Sequence, residues 1–462
     1  MTLETDYLIK GCGASSMGFI DVLLKATDAS ITVVDRGAAP GGHWNFTYPF
    51  VRLHQPSDAY GIASRDFGDD ALDVDGTNAG MRRLPTGLQV ADHYHRAMAE
   101  IYLPSGRVTW FPMSELTDDG DIVSLVSGRR RSVRIHRKLV DGTHLETLIP
   151  LVHRRGFDVA ADVDCVPPND LPRFARGHDR FVVIGGGKTG LDAVSWLLDH
   201  GAAPEAVGWV IPRDAWWIDR RSVQTAPALR AGTLKIMRAQ TEAMASARST
   251  DDLALGMEAA GGWLRLDPAI RPAMFHAGTT TRAEVNRVRG LGRLVREGRV
   301  LRLEPDRMVL EGGVVPTGGS TLFVDCSARA LAHNCHDRTP VFRPGRIDLQ
   351  LIRFPLVCFS TALIALIEAR VDDEKTRARM TGITPMTDTV ADWIDRVIVN
   401  MENQAAWLAD ARVSDWIRQC RLEPMGRMMR TLPEDDVAAC ADRDRVRALS
   451  ESVLENLRHL RG

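Results

Sequence analysis

Two runs of closely spaced glycines carry the clearest chemistry in this chain. The first, Gly11-Cys12-Gly13-Ala14-Ser15-Ser16, follows a strand-like stretch, Asp6 to Lys10, and precedes an apolar helical pattern at Met17, Ile20, Val22, Leu23 and Leu24. A second strand, Ile31 to Val34, ends in Asp35, 24 residues beyond Gly11. Each part has a physical use. Gly11 permits a sharp turn, Gly13 lets backbone approach a pyrophosphate, the following helix presents free N–H groups to phosphate charge, and Asp35 can accept bonds from a ribose diol. Ser16 stands where a third glycine would let helix and strand pack closely.

The second run, Gly185-Gly186-Gly187-Lys188-Thr189-Gly190, has all three glycines of Gly-x-Gly-x-x-Gly. It lies between the strand Arg180 to Ile184 and a helical pattern at Leu191, Val194, Trp196, Leu197 and Leu198. The next strand, Val207 to Ile211, ends in Pro212-Arg213 instead of an acid, and an arginine there suits a 2′-phosphate, favouring NADP over NAD. A triphosphatase phosphate loop is disfavoured because its leading glycine would fall at Val182. A weak echo, Leu139-Val140-Asp141-Gly142-Thr143 against Phe323-Val324-Asp325-Cys326-Ser327, reads equally as two returns to a nucleotide fold or as a chance match.

Gly11 to Asp35, Pro40-Gly41-Gly42-His43-Trp44 and Gly185 to Gly190 together resemble the two-dinucleotide flavoproteins, most closely a divergent bacterial branch of the flavin-containing monooxygenase group. The resemblance is good over residues 1–60 and 178–215 and patchy elsewhere. It implies an α/β fold with two Rossmann-like three-layer domains. Gly11, Gly13, Ser16 and Asp35 would contact FAD, with Gly42, His43 and Trp44 nearby; Gly185, Gly187, Lys188, Thr189, Gly190 and Arg213 would frame NADPH. Two departures bear on oxygen chemistry more than on cofactor binding. The group's Phe-x-Gly-x-x-x-His stretch is absent, the region reading Pro167-Pro168-Asn169-Asp170-Leu171-Pro172-Arg173-Phe174, and Leu53-His54-Gln55-Pro56 lacks its asparagine. Arg52, His54 and Gln55 are candidates for facing flavin or substrate, or for bracing their loop.

The elements that must position these residues suggest three parts: 1–175, the first part of an FAD domain; 176–325, an NAD(P) domain with a helical insertion at about 216–277; and 326–462, a return to the FAD domain followed by helices expected to cover it. Residues 88–102 read as an amphipathic helix, and Val108 to Phe111, Ile122 to Val126 and Val133 to Val140 as a meander. Val300 to Glu304 and Arg307 to Leu310 read as a hairpin. The insertion far exceeds an ordinary connection of about 2 to 6 residues, so it is a candidate lid or substrate wall, or equally a packing ornament or a contact across a homodimer.

A chain of 462 residues needs two or three domains. The balance of 58 Lys plus Arg against 60 Asp plus Glu gives no global argument for nucleic acid or an anionic membrane. The apolar run from Phe354 to Ile367 falls short of the roughly 20 residues of a spanning helix, and the start of the sequence lacks the pattern of a secretory signal, so a cytoplasmic protein is expected. Seven scattered cysteines without Cys-x-x-Cys argue against a disulfide framework or reductase. No metal is expected: His333, Cys335 and His336 are too few for a tetrahedral set. No Gly-x-Ser-x-Gly or His-Glu-x-x-His points to hydrolysis. The expectation is an NADPH-dependent FAD oxidoreductase, a monooxygenase oxidising a small organic substrate with molecular oxygen through a flavin peroxide. A flavin-dependent NAD(P)H oxidase or dehydrogenase without oxygen insertion, and a dinucleotide-binding protein without turnover, remain alternatives.

Overall fold

The computed structural model describes residues 2–145, 147–329 and 338–461. Two parallel sheets organise it. In the first, Leu3–Lys10 lies between Ile31–Val34 and Val133–Asp141, with Val108–Phe111 beyond the former and Arg346–Asp348 beyond the latter. In the second, Arg180–Ile184 lies between Val207–Val210 and Thr321–Asp325, with Arg293–Val295 and Cys165–Val166 outside them. The order of the four central strands is the same in both. Each glycine turn therefore follows a strand whose neighbours belong to opposite halves of the sheet, the switch point where α/β folds open a crevice.

Each sheet is the middle of three layers. Helix Ala14–Ala26 packs on one face of the first, with Met17, Phe19, Ile20 and Leu23 fully buried, while Leu116 and Ile122 of a small antiparallel sheet cover the other. Helix Lys188–Asp199 and the strands Val300–Glu304, Arg307–Leu310 and Gly313–Pro316 do the same for the second. The hairpin is thus as expected and gains a third strand. The meander is not: Val108–Phe111 and Val133–Asp141 are parallel members of the main sheet, and only Ile122–Ser124 joins the antiparallel layer between them. Their apolar alternation is that of any half-buried strand and carries no information on strand direction.

The apolar run near residue 360 forms helix Val357–Arg370, whose Phe359, Leu363, Ile364, Leu366 and Ile367 are buried against Ala14–Ala26 and the helices after it. Its all-round hydrophobicity is that of a core helix, and no helix among the described residues is long and apolar enough to cross a membrane. The insertion is not purely helical. Helices Arg230–Ser246 and Thr250–Ala259 stand between strands Ala215–Asp219 and Met274–Thr280, which pair in parallel. The C-terminal helices divide their attention. Val357–Arg370 covers the first sheet, whereas Trp393, Ile394 and Ile398 of Val390–Ala409 and Val453 and Leu457 of Ser450–Arg461 pack on Trp216, Trp263 and Phe275 of the insertion. Amphipathic spacing reveals that a helix has a buried face but not which partner buries it.

Candidate functional site

At the first glycine turn the chain leaves Lys10 through Gly11 at φ +89°, a left-handed conformation natural to glycine, and Gly11 N–H donates to Val34 O at 2.8 Å. Gly13 begins helix Ala14–Ala26 with no side chain capping it, in contrast to Thr86, Thr281 and Thr389, which close full capping boxes on their helices. The uncapped first turn offers N–H groups and the positive end of the helix dipole to an anion. Gly41 N–H donates to Cys12 O at 2.8 Å, and a Cβ on Gly42 would lie 2.9 Å from Gly13 Cα, so this second turn rests directly on the first. His43 and Trp44 follow in a short helical turn, where Trp44 Nε1 donates to Tyr60 OH at 2.6 Å and burial pushes His43 down to about 4, leaving it neutral. Asp35 accepts from the backbone N–H groups of Cys12 and Gly37, each at 2.5 Å. Burial raises its pKa and those two bonds oppose the rise, while lone pairs remain for a diol.

The second turn repeats the design. Gly185 has φ +119°, and a Cβ there would lie 2.5 Å from Cys326 O. Gly187 begins helix Lys188–Asp199 without a side-chain cap, and a Cβ on it would meet only open space. At Gly190 a Cβ would collide with Gly185 O, so the third glycine is sterically required. Arg213 is exposed just beyond the strand Val207–Val210. The echo noticed in the sequence is structural: Asp141 stands opposite Lys10 and Asp325 opposite Ile184, the last residues of the two glycine-turn strands. Each Asp accepts from the N–H and hydroxyl two residues on, Thr143 at 2.9 and 2.7 Å and Ser327 at 3.0 and 2.6 Å.

Between the two turns runs the segment from Gly42 to Gln55. Tyr48 OH donates to Asp192 Oδ2 at 2.7 Å, Phe50 stacks on Trp196 with ring centroids 5.4 Å apart, and Asn169 donates to Phe46 O at 3.0 Å. Asp192 also holds the ammonium of Lys188. At the far end His54 Nδ1 accepts from Thr279 N–H at 3.2 Å, so Nε2 carries the proton; burial, helped by the charges of Lys188 and Arg220, pushes this imidazole down to about 3. Arg220, fully buried, donates to His54 O at 3.0 Å and Asn78 Oδ1 at 2.9 Å and pairs with Glu284 Oε2 at 3.1 Å. Burial opposes charge on Glu284, yet Lys188, Arg220, Thr280 and Thr281 hold its carboxyl below the usual range.

Of the three loop candidates, His54 lies inside this network. Arg52 is exposed and donates to Leu84 O at 2.9 Å, a brace, and Gln55 is half-buried beside His54. Sequence reasoning missed Tyr48, Asp192, Arg220 and Glu284. Glu284 had a signal, since Thr281-Arg282-Ala283-Glu284 spells a capping box; a lone Arg220 in a long insertion had none. Among the described residues no group of three His, Cys, Asp or Glu could hold a metal, and His333, Cys335 and His336 lie outside them. The described cysteines are all free.

Two parallel sheets with glycine turns at matching switch points, joined by one crossing segment, define a two-dinucleotide-binding α/β fold. The chain is 38% identical over 421 residues to uncharacterized proteins of Mycobacterium tuberculosis and Mycobacterium bovis, covering 91% of this chain and 78% of theirs, and it belongs to their family. No protein-family model matches it. Among solved structures it is similar to an open form of cyclohexanone monooxygenase (11% identity, 99% of each chain, TM-score 0.48). It is also similar to a polycyclic ketone monooxygenase from Thermothelomyces thermophila (13% identity, 98% of this chain and 88% of that one, TM-score 0.48). A flavin-containing monooxygenase from Stenotrophomonas maltophilia matches at 13% identity over 80% of this chain and 98% of that one, with a TM-score of 0.45.

Proposed function

We propose that this chain is an NADPH-dependent FAD oxidoreductase, a monooxygenase acting on a small organic molecule. The observation that carries the reading is the bridge between the two glycine turns: Tyr48, six residues beyond Gly42, is bonded to Asp192 in the helix that Gly187 opens. Two uncapped helix starts tied together at this range suit two coenzymes that must meet.

The residues fit the groups. Gly42 leaves bare backbone against Gly13 where a side chain would collide, and Gly187 faces open space. Gly11, Gly13, Ser16 and Asp35 would hold the adenosine and pyrophosphate of FAD, with Gly42, His43 and Trp44 beside it. Gly185, Gly187, Lys188, Thr189, Gly190 and Arg213 would hold NADPH. When bound, FAD would supply two-electron redox chemistry, with nicotinamide as the hydride source and molecular oxygen as the oxidant. The chain's own residues orient and exclude water. Glu284 and Asp192 fix the Lys188 ammonium, Arg220 clamps the backbone of His54, and Thr279 sets the His54 tautomer so that a neutral Nε2–H is available as a donor.

The purified protein should be yellow, bleach with NADPH under nitrogen and recover its colour in air. A colourless protein unable to take up FAD would sink the reading. Product oxygen traced with labelled dioxygen separates insertion from simple reduction of oxygen, the outcome expected of an oxidase.

A further inference from the structure

One carboxylate stands between the second glycine turn and the crossing segment. Glu284 is buried in helix Arg282–Arg289, just after the insertion, and its two oxygens face different cations. Oε1 lies 3.9 Å from the ammonium of Lys188, the first residue of the helix that Gly187 opens. Oε2 pairs with Arg220 at 3.1 Å and accepts from Thr280 Oγ1 and Thr281 N–H, each at 2.8 Å. Arg220 comes from the insertion and donates to His54 O and Asn78 Oδ1, so it holds two segments of the first domain at once. The side chains of Arg220, Glu284 and Lys188 are 1, 11 and 18% exposed, so water and salt screen these charges little.

We infer that Glu284 is a positioning residue that couples the two sites, so that an anionic ligand at the second glycine turn sets the hold of Arg220 on His54. The inference rests on the reading that the second glycine fold holds a dinucleotide. In the structure Glu284 divides its charge between Lys188 and Arg220. Phosphate charge at the helix start competes with Glu284 for the Lys188 ammonium. The carboxylate is then left to Arg220, and the grip on His54 and Asn78 tightens. Glu284 also repels the incoming phosphate, so it weakens binding while it orders the crossing segment. Part of the binding energy of the dinucleotide is thereby converted into the position of groups at the other site. The insertion gains a role as well, since it supplies Arg220.

The test compares Glu284→Gln with the wild type, both as FAD-loaded protein. The carboxamide still accepts from Thr281 N–H, since glutamine serves in a capping box, but the charge is gone. NADP⁺ binding, followed by equilibrium titration, should tighten by about three- to tenfold, because a carboxylate beside Lys188 has been removed. Bleaching by saturating NADPH under nitrogen should slow by about tenfold or more, because Arg220 becomes a buried cation without its counter-charge and His54 loses its fixed place. A merely structural role would weaken binding and slow bleaching together. In a Lys188→Met background, adding Glu284→Gln should leave NADP⁺ affinity unchanged, since the cation it acts through is absent. In the wild type, NADP⁺ should slow hydrogen exchange in peptides over residues 50–56 and 76–80, a measurement that decides the matter should Glu284→Gln fail to fold. NADP⁺ affinity that is unchanged or weaker in Glu284→Gln, an unchanged bleaching rate, or exchange indifferent to NADP⁺ would overturn the coupling and leave the dinucleotide reading intact. A wild-type protein that binds no NADP⁺ would overturn that reading as well.

Discussion

Ser16 and Gly142 are complementary: the hydroxyl of one occupies the space in which a side chain on the other would have to sit. In the second unit the helix keeps its glycine, Gly190, and the position after the strand-end Asp is Cys326. In the first unit the helix carries Ser16, and the position after Asp141 is Gly142. A Cβ on Gly142 would fall within the van der Waals envelope of Ser16 Oγ, which is fully buried and has no hydrogen-bond partner among the described residues. The missing third glycine has been replaced by one across the interface, so close packing of helix and sheet is preserved.

Gly142→Ala should therefore destabilise the protein by about 1–3 kcal/mol, the usual cost of overpacking. Adding Ser16→Gly should recover most of the loss. Urea unfolding of the two single variants and the double variant checks this, and strictly additive effects would mean the two positions do not share the space.

Tyr48→Phe removes a bond to a carboxylate and should cost about 1.5–3 kcal/mol of stability. It should also slow anaerobic bleaching by NADPH about tenfold or more while the yellow colour is retained, because the crossing segment loses its anchor on the second helix. Stopped-flow absorbance gives the rate. Loss of colour itself would place Tyr48 in the first site instead of the bridge.

Arg213→Ala should raise the KM for NADPH by about ten- to a hundredfold, the worth of a charge-assisted bond to phosphate, and leave that for NADH nearly unchanged. Equal losses with both coenzymes would contradict the 2′-phosphate role.

Three histidines are held neutral: His43 down to about 4, and His54 and His93 down to about 3, each chiefly by burial. His93 Nε2 accepts from Ile62 N–H at 3.1 Å, a bond that protonation would break. In the unfolded chain all three bind a proton near pH 6.5. Between pH 6.5 and about 4 the unfolded state thus carries more protons, and stability falls as pH falls, by up to about 1.4 kcal/mol per pH unit for each. Urea midpoints should drop markedly from pH 7 to pH 5, and His93→Gln should flatten the slope. A midpoint indifferent to pH over that range would show these rings are already charged in the folded protein.

Much of the site was legible in advance because its geometry is local. A strand, two glycines, a helix and an acid at the next strand end lie within the 30 residues from Asp6 to Asp35, and backbone sterics alone oblige such a run to make an open turn at a helix start. The same holds at Gly185, where Gly185 and Gly190 each have a specific clash to avoid. By itself the sequence determined these two turns, the hairpin at residue 300, and the reading of the run near residue 360 as too short to span a bilayer. Which strands run parallel, which core each late helix serves, and the meeting of Tyr48 with Asp192 or of His54 with Thr279 and Arg220 were decided only by the tertiary structure. Those contacts join residues 144 to 225 positions apart, and apolar periodicity records that a face is buried without recording what buries it.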